Sequence, residues 1–299
     1  MQIRSGTATS GDIEIYYEDM GDPNDPAVLL IMGLGAQLLL WRDGFCEKLV
    51  DQGLRVIRYD NRDVGLSTKV EGRHTGPLLP RMARSFLGMP SPAVYTLEDL
   101  ADDAAALLDH LGIDRAHVVG GSMGGMIAQI FAATHAHRTR SLGVIFSSNN
   151  QPLLPPPAPK QLKALLRRPE NAGRDAVIAN SMRVARIIGS PGYPAPEERL
   201  RAEVTEAYER AYYPAGIARH FAAVLGSGSL LGYDRRITAP TVVIHGKADR
   251  LMRPFGGRAV ARAITGARLA LFDGMGHDLP EQLWDDIVGE LKVTFAEAR

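Results

Sequence analysis

A serine with a glycine two residues before it and another two residues after it, set between a strand and a helix, has the form of a nucleophile. Gly120-Gly121-Ser122-Met123-Gly124 is such a segment. The apolar run Ala116-His117-Val118-Val119 before it predicts a strand, and Gly125-Met126-Ile127-Ala128-Gln129-Ile130-Phe131 after it predicts a helix. A strand that reverses sharply into a helix crowds its own backbone. Glycines leave room for the chain to pass, and the hydroxyl projects above the sheet. The same turn places the Met123 N–H at the start of a helix, where it has no intrahelical partner and can donate to an oxyanion. A Gly-rich turn without chemistry, or a phosphate cradle, shares the five-residue pattern, so the rest of the chain has to discriminate.

A serine hydroxyl needs a base, and the base needs a carboxylate to orient it. Thr241-Val242-Val243-Ile244-His245-Gly246 reads as a buried strand, and Lys247-Ala248-Asp249 follows its C-terminal end. Arg268-Leu269-Ala270-Leu271-Phe272 reads as the next strand, followed by the loop Asp273-Gly274-Met275-Gly276-His277. Taken alone, Asp249 is an ordinary turn residue and His277 an ordinary loop histidine. Placed after consecutive strands, in the chain order Ser, Asp, His, they predict a triad of Ser122, His277 and Asp249. Asp60 and Asp63 are competing carboxylates; we expect structural roles for both, with Arg62 as a nearby ion-pair partner. His245 is expected to be packed and hydrogen-bonded rather than a second base. His135 and His137 are expected to face solvent at a helix end, and two histidines without a third ligand make no metal site. Gly33 and Gly35 fall short of the spacing that binds dinucleotides. The chemistry so assembled calls for no metal or organic cofactor.

With these residues in place, the chain resembles the α/β-hydrolase superfamily over nearly its whole length. The matching positions are Ser122, Asp249 and His277, together with the segment Ile31-Met32-Gly33-Leu34-Gly35 after the apolar strand Val28–Ile31. That segment stands where the superfamily has its oxyanion loop, and the resemblance assigns the second oxyanion donor to the Leu34 N–H. Many relatives carry His-Gly where this chain has Met32-Gly33. Arg58-Tyr59-Asp60-Asn61-Arg62-Asp63-Val64-Gly65-Leu66-Ser67 is similar to the superfamily's Asp-x-Arg-Gly-x-Gly-x-Ser turn, with Asp63 in place of the first glycine. The Met-Gly loop, this turn and the Gly-Met-Gly-His loop together resemble the aclacinomycin-methylesterase branch and related actinobacterial lipase/esterases. The resemblance implies an α/β fold with a mostly parallel central sheet flanked by helices and an inserted helical cap.

The elements that must hold such residues are legible along the chain. Ile13–Tyr17 alternates like an early antiparallel strand. Val28–Ile31, Val56–Tyr59, His117–Val119, Leu142–Phe146, Val242–Ile244 and Leu269–Phe272 are short, apolar and rich in branched residues, as strands of a sheet covered on both faces are. Thr96-Leu97-Glu98-Asp99 resembles a capping box, and it leads into a helical pattern that Gly112 closes. After Phe146 the sheet pattern breaks at Pro152 and Pro155-Pro156-Pro157-Ala158-Pro159, a stiff extended connection. Leu162–Leu166, Ala176–Ile188 and Glu197–Tyr212 then read as helices, and the sheet resumes near Ile237. We therefore expect a core of residues 1–150 and 231–299 with a helical cap at 151–230. Leu162, Leu165, Leu166, Val184, Ile187, Ile188 and Phe221 should give the cap its apolar faces, whereas Lys160, Lys163, Arg167 and Arg168 read as a solvated face.

Composition agrees with one enzyme carrying an insertion. The 299 residues exceed the usual size of a single core. With 34 Lys and Arg against 34 Asp and Glu, the formal charge is zero, which favours neither nucleic acid nor an anionic membrane as partner. Cys46 is the sole cysteine, so no intramolecular disulfide forms, and its setting predicts helix packing. The start Met1-Gln2-Ile3-Arg4-Ser5-Gly6 lacks a signal-like apolar stretch and no run reaches membrane-spanning length, so a cytoplasmic protein is expected. The expectation is a serine hydrolase cleaving a small-molecule carboxylic ester. Ser122 attacks, His277 is the base, Asp249 orients it, and the Leu34 and Met123 N–H groups bind the oxyanion. The same triad serves a thioesterase, phospholipase or perhydrolase, and a non-catalytic interaction protein is the rival from another class. Acyl and alcohol preference and oligomeric state are not legible in the sequence.

Overall fold

The structure, a computed structural model, describes residues 2–72, 77–167 and 169–298, so Met1, residues 73–76, Arg168 and Arg299 lie outside it. In chain order, the first elements are β1 (Ile3–Ser10), β2 (Ile13–Met20), β3 (Ala27–Ile31), α1 (Asp43–Val50) and β4 (Arg55–Tyr59). Next come α2 (Leu78–Phe86), α3 (Leu97–His110), β5 (Ala116–Gly121), α4 (Met123–Thr134) and β6 (Thr139–Ile145). The long connection to the next strand carries α5 (Pro159–Leu166), α6 (Arg174–Ile188), α7 (Glu197–Arg210), α8 (Pro214–Gly226) and the single turn α9 (Leu231–Asp234). The chain then completes β7 (Thr241–Gly246), α10 (Pro254–Ala263), β8 (Arg268–Phe272) and α11 (Trp284–Glu297).

The strands form one eight-stranded sheet in the order β1-β2-β4-β3-β5-β6-β7-β8. β1 and β2 are antiparallel to their neighbours, and every later pairing is parallel. Successive side chains of a strand point to opposite faces. Leu29, Ile57, Val118 and Val243 accordingly join the core under α3 and α4, whereas Val28, Val56, Val119 and Val242 join the core under α1 and α11. Burial on both faces explains why these strands read as unbroken apolar runs. β1 had no such signal: it is a polar edge strand, half of its residues exposed, with only Ala8 buried. β6 ends at Ile145, one residue short of the apolar run, because Phe146 turns into the left-handed region at φ 37°.

Several helix ends follow local chemistry. Thr96 Oγ1 accepts from the Asp99 N–H at 3.2 Å, and the Thr96 N–H donates to Asp99 Oδ2 at 2.7 Å, completing the capping box of α3. Gly112, at φ 66°, closes that helix. Cys46 is buried in α1, as expected of a packing residue. Prolines at the first turns of α5, α8 and α10 mark starts that need no N–H there.

Helices α5 to α8 occupy the connection between β6 and β7, and Ile178, Met182 and Leu200 form a small core of their own. Their bounds differ slightly from the periodicity: α6 starts at Arg174, and α7 stops at Arg210. α8 is shared with the main body, since Ala223 and the following Leu230 pack into the large cluster around α4. Lys160, Lys163 and Arg167 face solvent; so does Leu166, 43% exposed, which therefore leaves the expected apolar face. Among the described residues, no helix is long and apolar enough to cross a membrane.

Candidate active site

β3 lies between β4 and β5, so the chain leaves β3 to one side and later returns on the other. Such a reversal opens a crevice at the carboxyl ends of the strands. The loops after β3 and β5 meet there. Ser122 follows β5 directly, with φ 56° and ψ −122°, a conformation few non-glycine residues adopt. The flanking glycines are steric necessities. A Cβ on Gly120 would lie 2.1 Å from the Gly124 carbonyl oxygen, and one on Gly124 would lie 2.1 Å from that of Ile31. The Ser122 N–H donates to the Ile145 carbonyl at 3.0 Å, and Ser147 Oγ donates to the Ser122 carbonyl at 2.6 Å, which fixes the turn to β6.

β7 and β8 end beside this turn and deliver Asp249 and His277. His277 Nε2 lies 2.9 Å from Ser122 Oγ, and His277 Nδ1 lies 2.8 Å from Asp249 Oδ2. A carboxylate only accepts, so Nδ1 carries the proton and Nε2 is left to accept from the serine hydroxyl. The other Asp249 oxygen, Oδ1, accepts from the N–H groups of Leu251 and Met252 at 2.8 and 2.9 Å. Burial by itself pushes the Asp249 carboxyl up. His277 beside it, with its hydrogen bond, and the nearby His245 ring outweigh that, holding it well below the usual carboxylate range. His245 is fully buried, and its Nε2 donates to the Met252 carbonyl at 2.6 Å while lying 3.5 Å from Asp249 Oδ2. It is a packed histidine, as its strand-end position suggested.

Gly33 packs directly on the serine, its virtual Cβ 2.9 Å from Ser122 Cβ. Leu34 follows it, and among the described residues its N–H has no hydrogen-bond partner. Met123 opens α4, so its N–H has no carbonyl to bond within the helix. The two candidate oxyanion donors thus sit on the two residues that follow Gly33 and Ser122. Asn61 Nδ2 donates to the Met32 carbonyl at 3.0 Å and steadies the loop from below.

The competing carboxylates are engaged elsewhere. Asp60 accepts from the N–H groups of Leu38 and Leu66 at 2.8 and 2.9 Å and pairs with Arg210 of α7 at 2.7 Å. Asp63 pairs with Arg219 of α8 at 2.7 Å and accepts from Tyr95 Oη at 2.7 Å. Its φ of 70° explains the departure from glycine, because aspartate tolerates the left-handed region. Arg62 does not serve either acid: it reaches away to Asp103, at 2.6 Å, because α3 brings that buried carboxylate under the turn. His137 faces solvent, whereas His135 is half-buried with its Nε2 3.0 Å from Asp102 Oδ1.

A cavity of about 1300 Å³ opens over Ser122 and His277. The core side contributes Met32, Met126 and Phe146; the inserted helices contribute Leu162, Leu165, Val184, Ile187, Ile188 and Phe221. Leu166 is absent from this wall. Phe146 packs against the His277 ring, centroids 4.9 Å apart and the rings tilted by 56°. The segment after α6 also grips the histidine loop. The His277 N–H donates to the Ile188 carbonyl at 2.9 Å, the Gly276 N–H to Ser190 Oγ at 2.8 Å, and the Gly192 N–H to the Gly274 carbonyl at 3.0 Å. Ser190 Oγ in turn donates to Asp278. Neither Ser190 nor His220, described below, stood out in the sequence, since both work through partners far along the chain.

Comparison with known proteins leads to the same fold by an independent route. Rhodomycin D methylesterase DnrP of Streptomyces peucetius is 29% identical over 294 residues, covering 91% of this chain and 91% of that protein. Rhodomycin D methylesterase DauP of Streptomyces sp. strain C5 is 29% identical over 293 residues, with the same coverage of 91% on each side. The crystal structure of the enol-lactonase from Burkholderia xenovorans LB400 superposes with a TM-score of 0.74 at 24% identity, over 97% of this chain and 100% of that one. The sequence pattern of the alpha/beta hydrolase fold matches residues 26–282, which takes in the serine turn, both loops that meet it and the helices inserted between β6 and β7. The chain belongs to the alpha/beta hydrolase fold family.

Proposed function

We propose that this protein is a carboxylic ester hydrolase that works through an acyl-enzyme on Ser122. The observation that carries the proposal is the hydrogen-bonded chain from Ser122 Oγ through His277 to Asp249 at 2.9 and 2.8 Å. The two methylesterase relatives support the bond type. Ser122 Oγ attacks the ester carbonyl carbon as His277 Nε2 takes its proton, and Asp249 holds the imidazole and stabilises its charged form. The carbonyl oxygen becomes an oxyanion facing the Leu34 and Met123 N–H groups. Removing one such donor costs about 3–4 kcal/mol in a comparable site. The C–O bond then breaks, and His277 returns the proton to the leaving alcohol. Water repeats the sequence: it gives a proton to His277, its oxygen attacks the acyl carbon, and Ser122 leaves with the proton restored.

The helices inserted between β6 and β7 act in this reading as a cap that shapes the pocket. Its volume of about 1300 Å³ exceeds the roughly 300–1,000 Å³ of most ligand sites, and its wall is largely apolar. A large, carbon-rich acid part fits that space. The methylesterase relatives favour a small alkoxy leaving group. The test is labelling with a fluorophosphonate followed by peptide mapping, together with hydrolysis of a panel of methyl esters, longer esters and thioesters. Label on Ser122 and turnover of bulky methyl esters are expected. Active protein labelled at another residue, or thioesters preferred throughout, would overturn the proposal.

A further inference from the structure

His220 stands on α8, its side chain fully buried, and both ring nitrogens are engaged. The Gly35 N–H donates to Nδ1 at 3.1 Å, across 185 positions of sequence. Nε2 faces the Arg62 carbonyl at 2.8 Å. A carbonyl only accepts, so the proton resides on Nε2, and Nδ1 keeps the lone pair that Gly35 uses. The ring is therefore a neutral imidazole with a fixed tautomer. Burial holds its protonated form down, to about 4, and the facing pair of Asp63 and Arg219 adds opposed charges.

Gly35 is the second half of the turn that presents the Leu34 N–H. At φ 65° it needs a glycine, and the space beside its Cα is taken by Ile217, whose Cγ1 lies 2.8 Å from a virtual Cβ. Ile217 and His220 are three residues apart on α8, on one helix face. One face of an inserted helix thus presses on the turn and hydrogen-bonds it. At the other end the loop rests on Asn61 through the Met32 carbonyl, at 3.0 Å. The Met32 side chain is a thioether, with no strong donor or acceptor to help. Among the described residues, side chains support this loop from Asn61 in the core and His220 in the insertion, and the Ala36 N–H closes the turn on the Gly33 carbonyl at 3.2 Å.

We propose that His220 is a positioning residue for the oxyanion loop: through the Gly35 N–H it fixes the direction in which the Leu34 N–H points at Ser122. It touches neither the substrate nor the reacting atoms, and its action rests on the ester-hydrolase reading above. An N–H swung away from the oxyanion loses its effect in the transition state while ground-state binding is nearly untouched.

The experiment compares wild type with His220→Ala, His220→Phe and His220→Asn in steady-state hydrolysis of a p-nitrophenyl ester. The rate of Ser122 modification by a small fluorophosphonate is measured alongside. His220→Ala and His220→Phe are expected to lower kcat about 10- to 100-fold with KM little changed, the scale of a misplaced catalytic group. Asparagine keeps an acceptor oxygen near the place of Nδ1, so His220→Asn should regain about tenfold in kcat over His220→Phe. Phenylalanine keeps the ring volume without the acceptor and would be the better substitute if the residue merely packed. Should His220→Ala fail to fold, the Asn and Phe variants still decide. A kcat for His220→Phe equal to or above that of His220→Asn, or His220→Ala at wild-type kcat, would overturn this role alone. Wild-type protein inert towards both ester and fluorophosphonate would overturn the hydrolase reading and this role with it.

Discussion

A methyl group on Gly33 would stand 2.9 Å from Ser122 Cβ and 3.1 Å from the Gly121 carbonyl oxygen, and neither neighbour is the flexible end of a long side chain. Something in the serine turn must move. Gly33→Ala should therefore lose about 100-fold or more in kcat, as a small displacement of a catalytic group does, while its thermal midpoint stays near wild type. Steady-state kinetics with a melting curve checks both halves. Asp249→Asn tests the other end of the site. The amide can offer an N–H to His277 Nδ1, which would shift the imidazole proton to Nε2 and leave Ser122 without an acceptor. A fall of about 10⁴ in kcat is the scale of that tautomer error in a comparable triad. Activity within tenfold of wild type in Asp249→Asn would mean that the carboxylate is not what orients the base.

Between elements, the inserted helices hold loops at the carboxyl ends of the strands, around the candidate site. The segment after α6 bonds the loop of His277 through Ile188, Ser190 and Gly192, and α7 and α8 hold the turn of Asp60 and Asp63 through Arg210 and Arg219. Ser190 is buried and serves two partners, accepting from Gly276 and donating to Asp278. Ser190→Ala leaves that buried N–H unmatched, which costs about 1–3 kcal/mol. Its kcat should fall more than its KM rises, and hydrogen exchange at Gly276 should quicken. Unchanged exchange there would refute the clamp. On the pocket side of α6, Ile187→Phe should shift preference towards smaller esters by about tenfold or more, since one methylene in a pocket is worth roughly 1–3 kcal/mol. An unchanged ranking across the ester panel would separate the helix from the substrate. None of these ties could be read from the sequence. The serine turn was legible because its glycines answer to neighbours a few residues away, and the parallel strands because burial on both faces leaves apolar runs. Ser190 sits in a loop without periodicity and meets Gly276 across 86 positions.

Across the whole molecule, the sheet order and the reversal at β3 explain why three residues far apart in sequence share one crevice. The pattern of apolar runs carried that much, apart from the polar edge strand β1 and the helix α2, whose nine residues bury only Arg81. What the runs could not convey is how charge is distributed through the folded core, and two buried carboxylates pull stability in opposite directions with pH. Asp249 is held below the usual range by its histidine neighbours, although burial alone would raise it. Its contribution is present above about pH 4 and is lost as acid protonates it in the folded state. Asp234, in α9, is the reverse case. It is fully buried; among the described residues its Oδ1 has no partner, and only Asn149 Nδ2 reaches its Oδ2, at 2.8 Å. Burial pushes this carboxyl up to about 7, with the Asn149 hydrogen bond working against the rise. The fold therefore prefers the protonated acid. Below about pH 4 the unfolded chain is protonated as well, and the contribution of Asp234 is complete; as pH rises through about 7 it is lost, by an amount on the order of 4 kcal/mol. Asp234→Asn removes the ionisation and keeps an oxygen to accept from Asn149. Its melting temperature should exceed that of wild type at pH 8, and the difference should shrink steadily down to pH 5. Parallel melting curves for the two proteins across that range would show that the Asp234 carboxyl does not titrate with the fold.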